Sequence, residues 1–242
     1  MAHTYRFLAN LQNPEEKLWT VDPDECHHLK KVLRLKEGSE VEFFDGNGTW
    51  GIGTLVKAGM AQSVIKADQV TVCEPPARVI SLGIGALKPG FVDDLIPSLT
   101  ELGLSHLHVF LSEGVSSDRM TEKALNRWNR ILLSSSRQCR RAYLPKISCW
   151  KNLKSLLDDH DFSSGTRYFL HPGKVPEFGR RLHTLTKTER NLISVIVGGE
   201  KGFSESELQL LSQSAWDQVG MGSLILRAYT AALSAVSLAS LS

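Results

Sequence analysis

The chain has 242 residues, of which 42% are hydrophobic and 22% are charged, and its formal net charge is +2. This length allows one large domain or a small domain with a medium one, and the apolar content is sufficient for a buried core. No apolar run reaches the length of a membrane span, and the first residues lack a signal peptide's apolar stretch. We therefore expect a soluble, cytoplasmic protein without a membrane partner. The four cysteines form no C-x-x-C pair, which argues against a disulfide framework and a zinc site.

Residues 1–74 are predicted to be rich in β-strands. The strand-like sequence V-E-F-F of residues 41–44 ends at the turn sequence D-G-N-G of residues 45–48. Residues 49–57 then alternate as a returning strand, and residues 63–72 provide another. We therefore expect a small β-domain in this part of the chain.

One helix is predicted to interrupt these strands, from Pro23 to Leu35. Leu29, Val32 and Leu33 recur at helical spacing along it, and the other face carries histidine, lysine and arginine side chains. This basic face fits either a solvated surface on a small barrel or a helix that contacts phosphates, and the sequence leaves both open. Metal binding by the two adjacent histidines is not expected, because neighbouring side chains on a helix point in different directions.

The pattern changes at Glu74-Pro75-Pro76, where consecutive prolines suit neither a strand nor a helix interior. We place a domain boundary here, between residues 1–74 and 75–242. Beyond it, strand-like runs alternate with helical periodicity, which predicts an α/β domain with a mostly parallel sheet. The predicted strands are 79–86, 106–111, 167–170 and 192–197, and the predicted helices are 91–102, 121–138 and 153–160.

A basic segment lies within this second part. Residues 119–146 contain eight Lys or Arg residues, opposed nearby only by Asp118 and Glu122. A solvated helix face and an RNA- or phosphate-binding surface both explain such a run, and the scarcity of acids favours nucleic acid. Five of the eight basic residues recur near helical spacing: Arg119, Lys123, Arg127, Arg130 and Arg137.

Two glycine-rich turns lie near the C-terminus, one after the apolar run at residues 192–197 and the other after a second short run. The first, residues 198–202, precedes a helix that begins at Ser204, where Ser204 and Glu207 have the spacing of a capping box. The second, residues 220–222, leads into an apolar helix from about Ile225. Glycines at a strand-to-helix turn let backbone groups approach a ligand closely. The turns therefore suggest one pocket built mainly of backbone, although they also suit ordinary connections of an α/β sheet.

Other reaction classes find no support in the sequence. Gly83-Ile84-Gly85 follows a predicted strand, but Lys88 takes the place of the third glycine of a dinucleotide-binding loop. The chain contains no G-x-S-x-G, Walker or H-E-x-x-H sequence. These absences argue against hydrolase, NTPase and zinc-protease chemistry.

Collinear motifs from Tyr5 to Ala231 resemble those of the RsmE-type ribosomal RNA methyltransferases of the SPOUT (trefoil-knot) superfamily. The first half contains H-H-L-x-x-V-L-R at 27–34, F-D-G at 44–46 and T-E-L-G at 100–103. The second half contains L-H-P at 170–172, V-G-G-E-K-G-F-S-x-x-E at 197–207 and G-x-x-x-L-R-x-x-T-A at 222–231. The last two are similar to the family's I-G-P-E-G-G-F-S-x-x-E and L-G-x-x-I-L-R-T-E-T-A.

The resemblance implies a small PUA-like β-barrel for RNA, followed by a knotted α/β methyltransferase domain. It also implies S-adenosyl-L-methionine as cofactor, no metal, a homodimer with sites at the interface, and methylation of uridine N3 in the 16S ribosomal RNA of the small subunit. Arg227 would stabilise negative charge on the base, with Thr230 hydrogen-bonding beside it. The residues against the cofactor would be Leu170, His171, Pro172, Gly198, Glu200, Gly202, Met221, Gly222 and Leu226. The residues against RNA would be Arg6, Lys30, Lys31, Arg34, Gln138 and Arg141.

The chain departs from the family at positions where charged side chains are usual. Ser98, Gly114 and Tyr229 stand at three of them, and Tyr229 replaces an acid close to Arg227. The charged residues of a catalytic site act together, so the loss of one weakens the others. A second hypothesis is therefore a catalytically degenerate homologue that acts as an RNA-binding or ribosome-assembly protein.

Overall fold

The computed structural model describes residues 5–88, 90–186 and 191–241. The chain divides into two compact units, Met1–Pro75 with Arg140–Leu144, and Pro76–Cys139 with Pro145–Ser242. The first unit contains a closed five-stranded barrel, and the second contains a six-stranded sheet flanked by helices. A small β-barrel with an α/β domain is the fold class that the sequence predicted.

The barrel of the first unit closes in the order β1-β2-β5-β4-β3, with β1 parallel to β3 and the other pairs antiparallel. Its interior is filled by buried apolar side chains that include Phe7, Trp19 and Phe43. The predicted turn after the third strand is confirmed, because the Asp45 Oδ1 atom accepts the N–H groups of Asn47 (2.7 Å) and Thr49 (2.9 Å). The strands are β1 (Arg6–Asn13), β2 (Leu18–Val21), β3 (Glu40–Phe44), β4 (Thr49–Ala58) and β5 (Ser63–Val72).

The helix predicted from Pro23 to Leu35 is shorter than expected. Helix α1 (Pro23–His27) gives way to a π-helical turn over His28–Val32, in which the Leu33 N–H donates to the His28 carbonyl at 3.0 Å. The wider winding changes which side chains face inward, so that Leu29 is buried while Val32 is 60% exposed. The prediction that both lie on one apolar face was therefore wrong.

A short segment between the longest helix and the next strand belongs to the first unit. Within that unit, the Leu144 N–H donates to the Gly46 carbonyl (2.9 Å), and the Ala142 carbonyl accepts the Gly48 N–H (3.1 Å). The Tyr143 hydroxyl donates to the Cys73 carbonyl at 3.0 Å. The basic segment of residues 119–146 is thus divided between the two units.

The sheet of the second unit is parallel throughout, in the order β11-β9-β10-β6-β7-β8. Its central strands β6 and β10 are mostly apolar, each with one buried serine, as expected for strands covered on both faces. The strands are β6 (Val79–Gly85), β7 (His106–Phe110), β8 (Lys146–Trp150), β9 (Thr166–Leu170), β10 (Leu192–Val197) and β11 (Asp217–Val219). The helices are α2 (Phe91–Glu101), α3 (Glu122–Gln138), α4 (Leu153–Leu157), α5 (His160–Ser163), α6 (Phe178–Thr184), α7 (Glu205–Gln213) and α8 (Ala228–Leu241).

Most predicted elements of this unit are confirmed, with four differences. Helix α6 was not predicted. Strand β8 was missed, because K-I-S-C-W has no clear apolar run. The predicted helix at residues 153–160 is two short helices, since Asp159 caps α5 by accepting the Phe162 N–H at 2.8 Å. The predicted C-terminal helix begins at Ala228 rather than at about Ile225, and its last predicted residue, Ser242, lies outside the described residues.

Candidate functional site: a pocket at the strand ends and an adjoining groove

Three neighbouring strands of the second unit end level with one another. Leu170, at the end of β9, pairs with Val197 at the end of β10 and with Val219 at the end of β11. The loops that follow these strands therefore all lie at the carboxyl ends of the strands, which is where open parallel sheets bind ligands. Together with the start of α8, they enclose a pocket of about 340 Å³, here called the strand-end pocket.

All nine residues that the resemblance assigns to the cofactor line the strand-end pocket. They are separated by up to 56 positions in sequence, from Leu170 to Leu226, and the sheet brings them together. Arg227 lines the same pocket. Gly199, Lys201, Leu224 and Ile225 complete the lining from the two turns. Sequence reasoning missed four other lining residues, although they lie within the two C-terminal motifs: Val197, Phe203, Ala228 and Ala231.

The first glycine turn is closed by its own backbone. The Gly202 N–H donates to the Gly199 carbonyl at 3.0 Å, and Gly202 has a φ of 77°, a conformation that glycine adopts without strain. At Gly198 an added Cβ atom would lie 2.6 Å from the carbonyl carbon of Gly202. The turn therefore requires glycine at residue 198 for close approach of its own chain, and at residue 202 for its backbone angle.

The helix after this turn is fixed by the predicted capping box. The Ser204 Oγ atom accepts the Glu207 N–H (3.1 Å), and the Glu207 Oε2 atom accepts the Ser204 N–H (2.9 Å). The other Glu207 oxygen accepts the Glu113 N–H (3.3 Å) from the loop after β7, and burial raises the pKa of the Glu207 carboxyl. This carboxylate connects the end of the glycine turn to the loop after β7.

Glu200, at the tip of the glycine turn, connects the strand-end pocket to the loop after β6. Its Oε1 atom accepts the Lys88 N–H at 3.0 Å, and its Oε2 atom lies 3.6 Å from the Arg119 Nη1 atom. The same Nη1 atom donates to the Ala86 carbonyl at 2.9 Å. Loop 86–88, the glycine turn and Arg119 are therefore held together by one carboxylate.

A second, smaller pocket adjoins the strand-end pocket and shares Glu200, Arg227 and Ala228 with it. This aromatic pocket of about 290 Å³ is completed by Leu87, Lys88, Phe91 and Tyr229. The Tyr229 hydroxyl donates to the Asp94 carbonyl of α2 at 3.4 Å, and Phe91 is 46% exposed. Thr230, in contrast, is exposed on α8 and lines neither pocket.

A third depression, the α3 groove, runs along the start of α3 and has a volume of about 680 Å³. It shares Leu87 and Lys88 with the aromatic pocket. Four of the five basic residues that recur at helical spacing line it, and Arg137 does not. The basic residues of the lining are Lys88, Arg119, Lys123, Arg127 and Arg130.

Comparison with known proteins assigns the chain to a family. A family model described as an RNA methyltransferase domain matches residues 74–240, and one described as an RNA methyltransferase PUA domain matches residues 21–65. The chain belongs to the RNA methyltransferase family. The resemblance that the motifs carry is confirmed by this assignment.

Relatives of this RNA methyltransferase match over nearly its whole length. Ribosomal RNA small subunit methyltransferase E of Mesomycoplasma hyopneumoniae is 28% identical over 233 residues, which cover 95% of this chain and 96% of that protein. The crystal structure of the Neisseria gonorrhoeae enzyme of the same name, bound to S-adenosylmethionine, has a TM-score of 0.80 and 24% identity, with 97% and 96% of the two chains covered. A Legionella pneumophila methyltransferase in complex with S-adenosylmethionine has a TM-score of 0.83 at 20% identity, covering 99% and 98%. These two structures share the fold.

The six residues predicted to contact RNA are distributed over both units of the methyltransferase. Lys30, Lys31 and Arg34 follow α1 on the barrel, where Lys31 and Arg34 are exposed, and Gln138 is the exposed last residue of α3. Arg6 and Arg141 both lie in the first unit and make internal contacts. Arg6 donates to the Arg141 carbonyl (3.1 Å), and Arg141 Nε donates to the Tyr143 carbonyl (3.1 Å).

Arg6 also stacks its guanidinium 4.6 Å from the Phe44 ring centroid. These contacts order the segment at residues 140–144, which accounts for Arg6 and Arg141 without RNA. Their assignment to RNA stays a prediction. Within residues 5–88, 90–186 and 191–241, no helix is long and apolar enough to cross a membrane, and no three His, Cys, Asp or Glu side chains are grouped to hold a metal.

Proposed function

We propose that this protein transfers a methyl group from S-adenosylmethionine to N3 of a uridine in 16S ribosomal RNA, in the cytoplasm. The observation that carries the proposal is the convergence of all nine predicted cofactor residues on one pocket at the strand ends. The motifs alone left open whether the glycine turns were ordinary connections. Their enclosure of a common pocket favours the ligand-binding interpretation.

The strand-end pocket fits the proposed cofactor in size and lining. Its volume of about 340 Å³ lies within the range of about 300–1,000 Å³ that is usual for small-molecule sites. Apolar side chains such as Leu170, Val197 and Leu226 offer a surface for the adenine ring, and the glycine turns offer backbone groups for the polar parts. When bound, S-adenosylmethionine supplies a methyl group already activated by its sulfonium charge.

The uracil ring would occupy the aromatic pocket, with Arg227 beside both the base and the cofactor. Methylation at N3 requires loss of the N3 proton, which passes to water, and negative charge develops on the base before the N3–methyl bond replaces the methyl–sulfur bond. Because Arg227 lines both pockets, its guanidinium can stabilise that charge while the base faces the strand-end pocket. Thr230 lies three residues later, in the first turn of α8, and lines neither pocket, so a hydrogen bond beside Arg227 is a role that the resemblance alone implies.

We also propose that the protein acts as a homodimer. Leu224 and Ile225 line the strand-end pocket, yet they are 77% and 83% exposed. Two adjacent, exposed apolar side chains at the rim of a ligand site are typical of a surface that a partner covers. A second copy seated there would complete the wall of the pocket.

A degenerate RNA-binding homologue remains the second candidate, and a specific observation favours it. Tyr229 stands where the family has an acid, and its hydroxyl donates to the Asp94 carbonyl. The residue therefore supplies no negative charge beside Arg227. If the protein has this second function, its RNA binding should be sensitive to salt and should be retained in Arg227→Ala. Its binding of S-adenosylmethionine should be weak or absent.

The proposal is tested by methyl transfer to small ribosomal subunits that lack the modification. Purified protein and labelled S-adenosylmethionine should modify one uridine at N3, which nucleotide mapping identifies. Removal of a group that stabilises a developing charge costs about 10²–10³ in kcat, so we expect that loss for Arg227→Ala. Arg227→Lys should restore part of kcat. Arg167→Ala, which changes a residue outside both pockets, should have the same kcat as the wild type.

Absence of methyl transfer by the wild-type protein, together with no calorimetric binding of S-adenosylmethionine, would overturn the proposed activity. Methyl transfer to a different RNA would keep the chemistry and reject the substrate. Salt-sensitive RNA binding without either activity would leave the degenerate homologue as the better account.

A further inference from the structure

We propose that the α3 groove binds the phosphate backbone of a single-stranded RNA segment whose target base enters the aromatic pocket. This inference rests on the proposed function and extends it, because it names a substrate-binding surface on the methyltransferase unit. The RNA contacts that the resemblance implies lie on the barrel and at Gln138 and Arg141. None of those residues lines this groove.

The lining of the groove has an excess of positive charge. Its five basic side chains are opposed by Asp118 and Glu122, so the lining has a net charge of +3. Two carboxylates outside the lining, Glu200 and Asp93, pair with Arg119 and Arg127. Lys123, Arg127 and Arg130 follow one another on α3 at intervals of four and three residues, which places them on one face. Arg119 precedes the helix and lines the same groove. From Lys123 to Arg130 the helix rises by about 10 Å, too far for one phosphate group to contact both ends.

Two of the arginines are held in place by the protein. Arg119 donates to the Ala86 carbonyl and lies beside Glu200. Arg127 pairs with Asp93 at 3.1 Å, and the same carboxylate accepts the Trp128 Nε1–H at 2.9 Å. These contacts orient guanidinium groups before a ligand arrives, which lowers the entropy lost on binding.

The other cations are available to a ligand. Lys123 and Arg130 are exposed, and neither forms an ion pair in the part of the chain that the structure describes. A solvated helix face would also expose such side chains, but it would be convex. Here they line a concavity of about 680 Å³ between α3 and the loop after β6.

The groove leads to the proposed site of methyl transfer. It shares Leu87 and Lys88 with the aromatic pocket, which in turn shares Glu200 and Arg227 with the strand-end pocket. The three depressions thus form a continuous path from cofactor to base to phosphates. A single strand fits this arrangement, because its bases can turn away from the backbone into a pocket.

The test compares Lys123→Ala/Arg130→Ala with the control Lys151→Ala/Lys154→Ala, which removes the same charge from exposed positions outside the groove. Binding of a fluorescent, uridine-containing single strand of about 12 nucleotides is measured by anisotropy across a range of salt concentrations. Each lost phosphate contact should reduce the slope of log K against log salt by about 0.7, so we expect a reduction of about 1.4 for the groove variant. The control slope should equal that of the wild type.

Methyl transfer provides the second readout. We expect the groove variant to have a raised KM for RNA, an unchanged kcat at saturating RNA and an unchanged affinity for S-adenosylmethionine. An active wild-type protein whose groove variant retains its salt slope and KM would overturn this inference while leaving the proposed function intact. A groove variant that changes only the oligomeric state would also overturn it. An inactive wild-type protein would refute the proposed function instead.

Discussion

Arg119 lies beside Glu200, with 3.6 Å between the Nη1 and Oε2 atoms, and this contact joins the α3 groove to the two pockets. Both side chains are partly exposed, so the pair itself contributes at most about 1 kcal/mol to stability. The pair matters more for the positions of the two residues than for stability. Glu200 also accepts the Lys88 N–H, and it thereby fixes loop 86–88 against the glycine turn.

We expect Glu200→Ala to weaken S-adenosylmethionine binding by about tenfold. One hydrogen bond to a charged group is worth roughly 1.5–3 kcal/mol, and we expect part of that free energy to be lost from cofactor binding because Glu200 lines the pocket. Glu200→Gln keeps an acceptor for the Lys88 N–H and should lose less. Calorimetric titration measures both. Glu205→Ala, in the first turn of α7 and outside the pocket, is the matched control. Equal affinity for wild type and Glu200→Ala would show that the bridge does not shape the pocket.

Gly198→Ala should destabilise the protein and abolish cofactor binding. The added Cβ would lie 2.6 Å and 2.9 Å from the carbonyl carbon and Cα of Gly202, so backbone has to move, at about 1–3 kcal/mol. Gly199→Ala is the control within the same turn. The atom nearest to its added Cβ would be the Ser112 Oγ atom, at 3.4 Å, so no backbone has to move. Urea unfolding gives the two free energies. Equal losses for both variants would contradict the steric argument.

Tyr229 should contribute its ring to base binding and little through its hydroxyl. The 3.4 Å hydrogen bond to the Asp94 carbonyl is long, so Tyr229→Phe should retain kcat/KM to within about threefold. Tyr229→Ala should lower kcat/KM by about 10- to 100-fold, since stacking of a base on an aromatic ring is worth about 1–3 kcal/mol. Cofactor affinity should not change, because Tyr229 does not line the strand-end pocket. Higher activity for Tyr229→Glu would show that this position requires the family's acid.

The stability of the protein should fall in mild acid through His108. Its Nδ1 atom accepts the Trp150 Nε1–H at 3.1 Å, its ring packs 4.6 Å from that of Phe162, and burial lowers its pKa to about 4. Between pH 6.5 and about 4 the unfolded chain binds more protons at this residue than the folded chain does. The free energy of unfolding should therefore decrease as the pH falls through that window, by roughly 3 kcal/mol in total.

His108→Gln removes this titration and keeps an acceptor for Trp150, so urea unfolding of the variant should depend less on pH in the same window. A residual slope is expected from His106, whose pKa is also lowered, mainly by burial and also by the charge of Lys146. Identical pH dependence of wild type and His108→Gln would show that His108 is not the group responsible.

Local signals in the sequence were sufficient for much of the fold. Strand β10 has the predicted bounds, Leu192–Val197, because a run with five apolar residues out of six precedes a glycine turn. The capping box of Ser204 and Glu207 is formed as its spacing predicted. The prediction failed where the signal was weak or contradictory, as in strand β8, or where the winding of the helix changed after His27.

By itself, the sequence determined most of the strands and helices and the glycine turns, because each of these depends on residues that are near one another in the chain. Its collinear motifs also determined the family. Only the tertiary structure decided which of these residues share a site. The register that aligns Leu170 with Val197 and Val219 brings three distant loops to one pocket. The contact of α8 with α2 likewise brings Tyr229 beside Phe91. Such relationships arise from strand order and helix packing between segments far apart in sequence, and no local spacing encodes them.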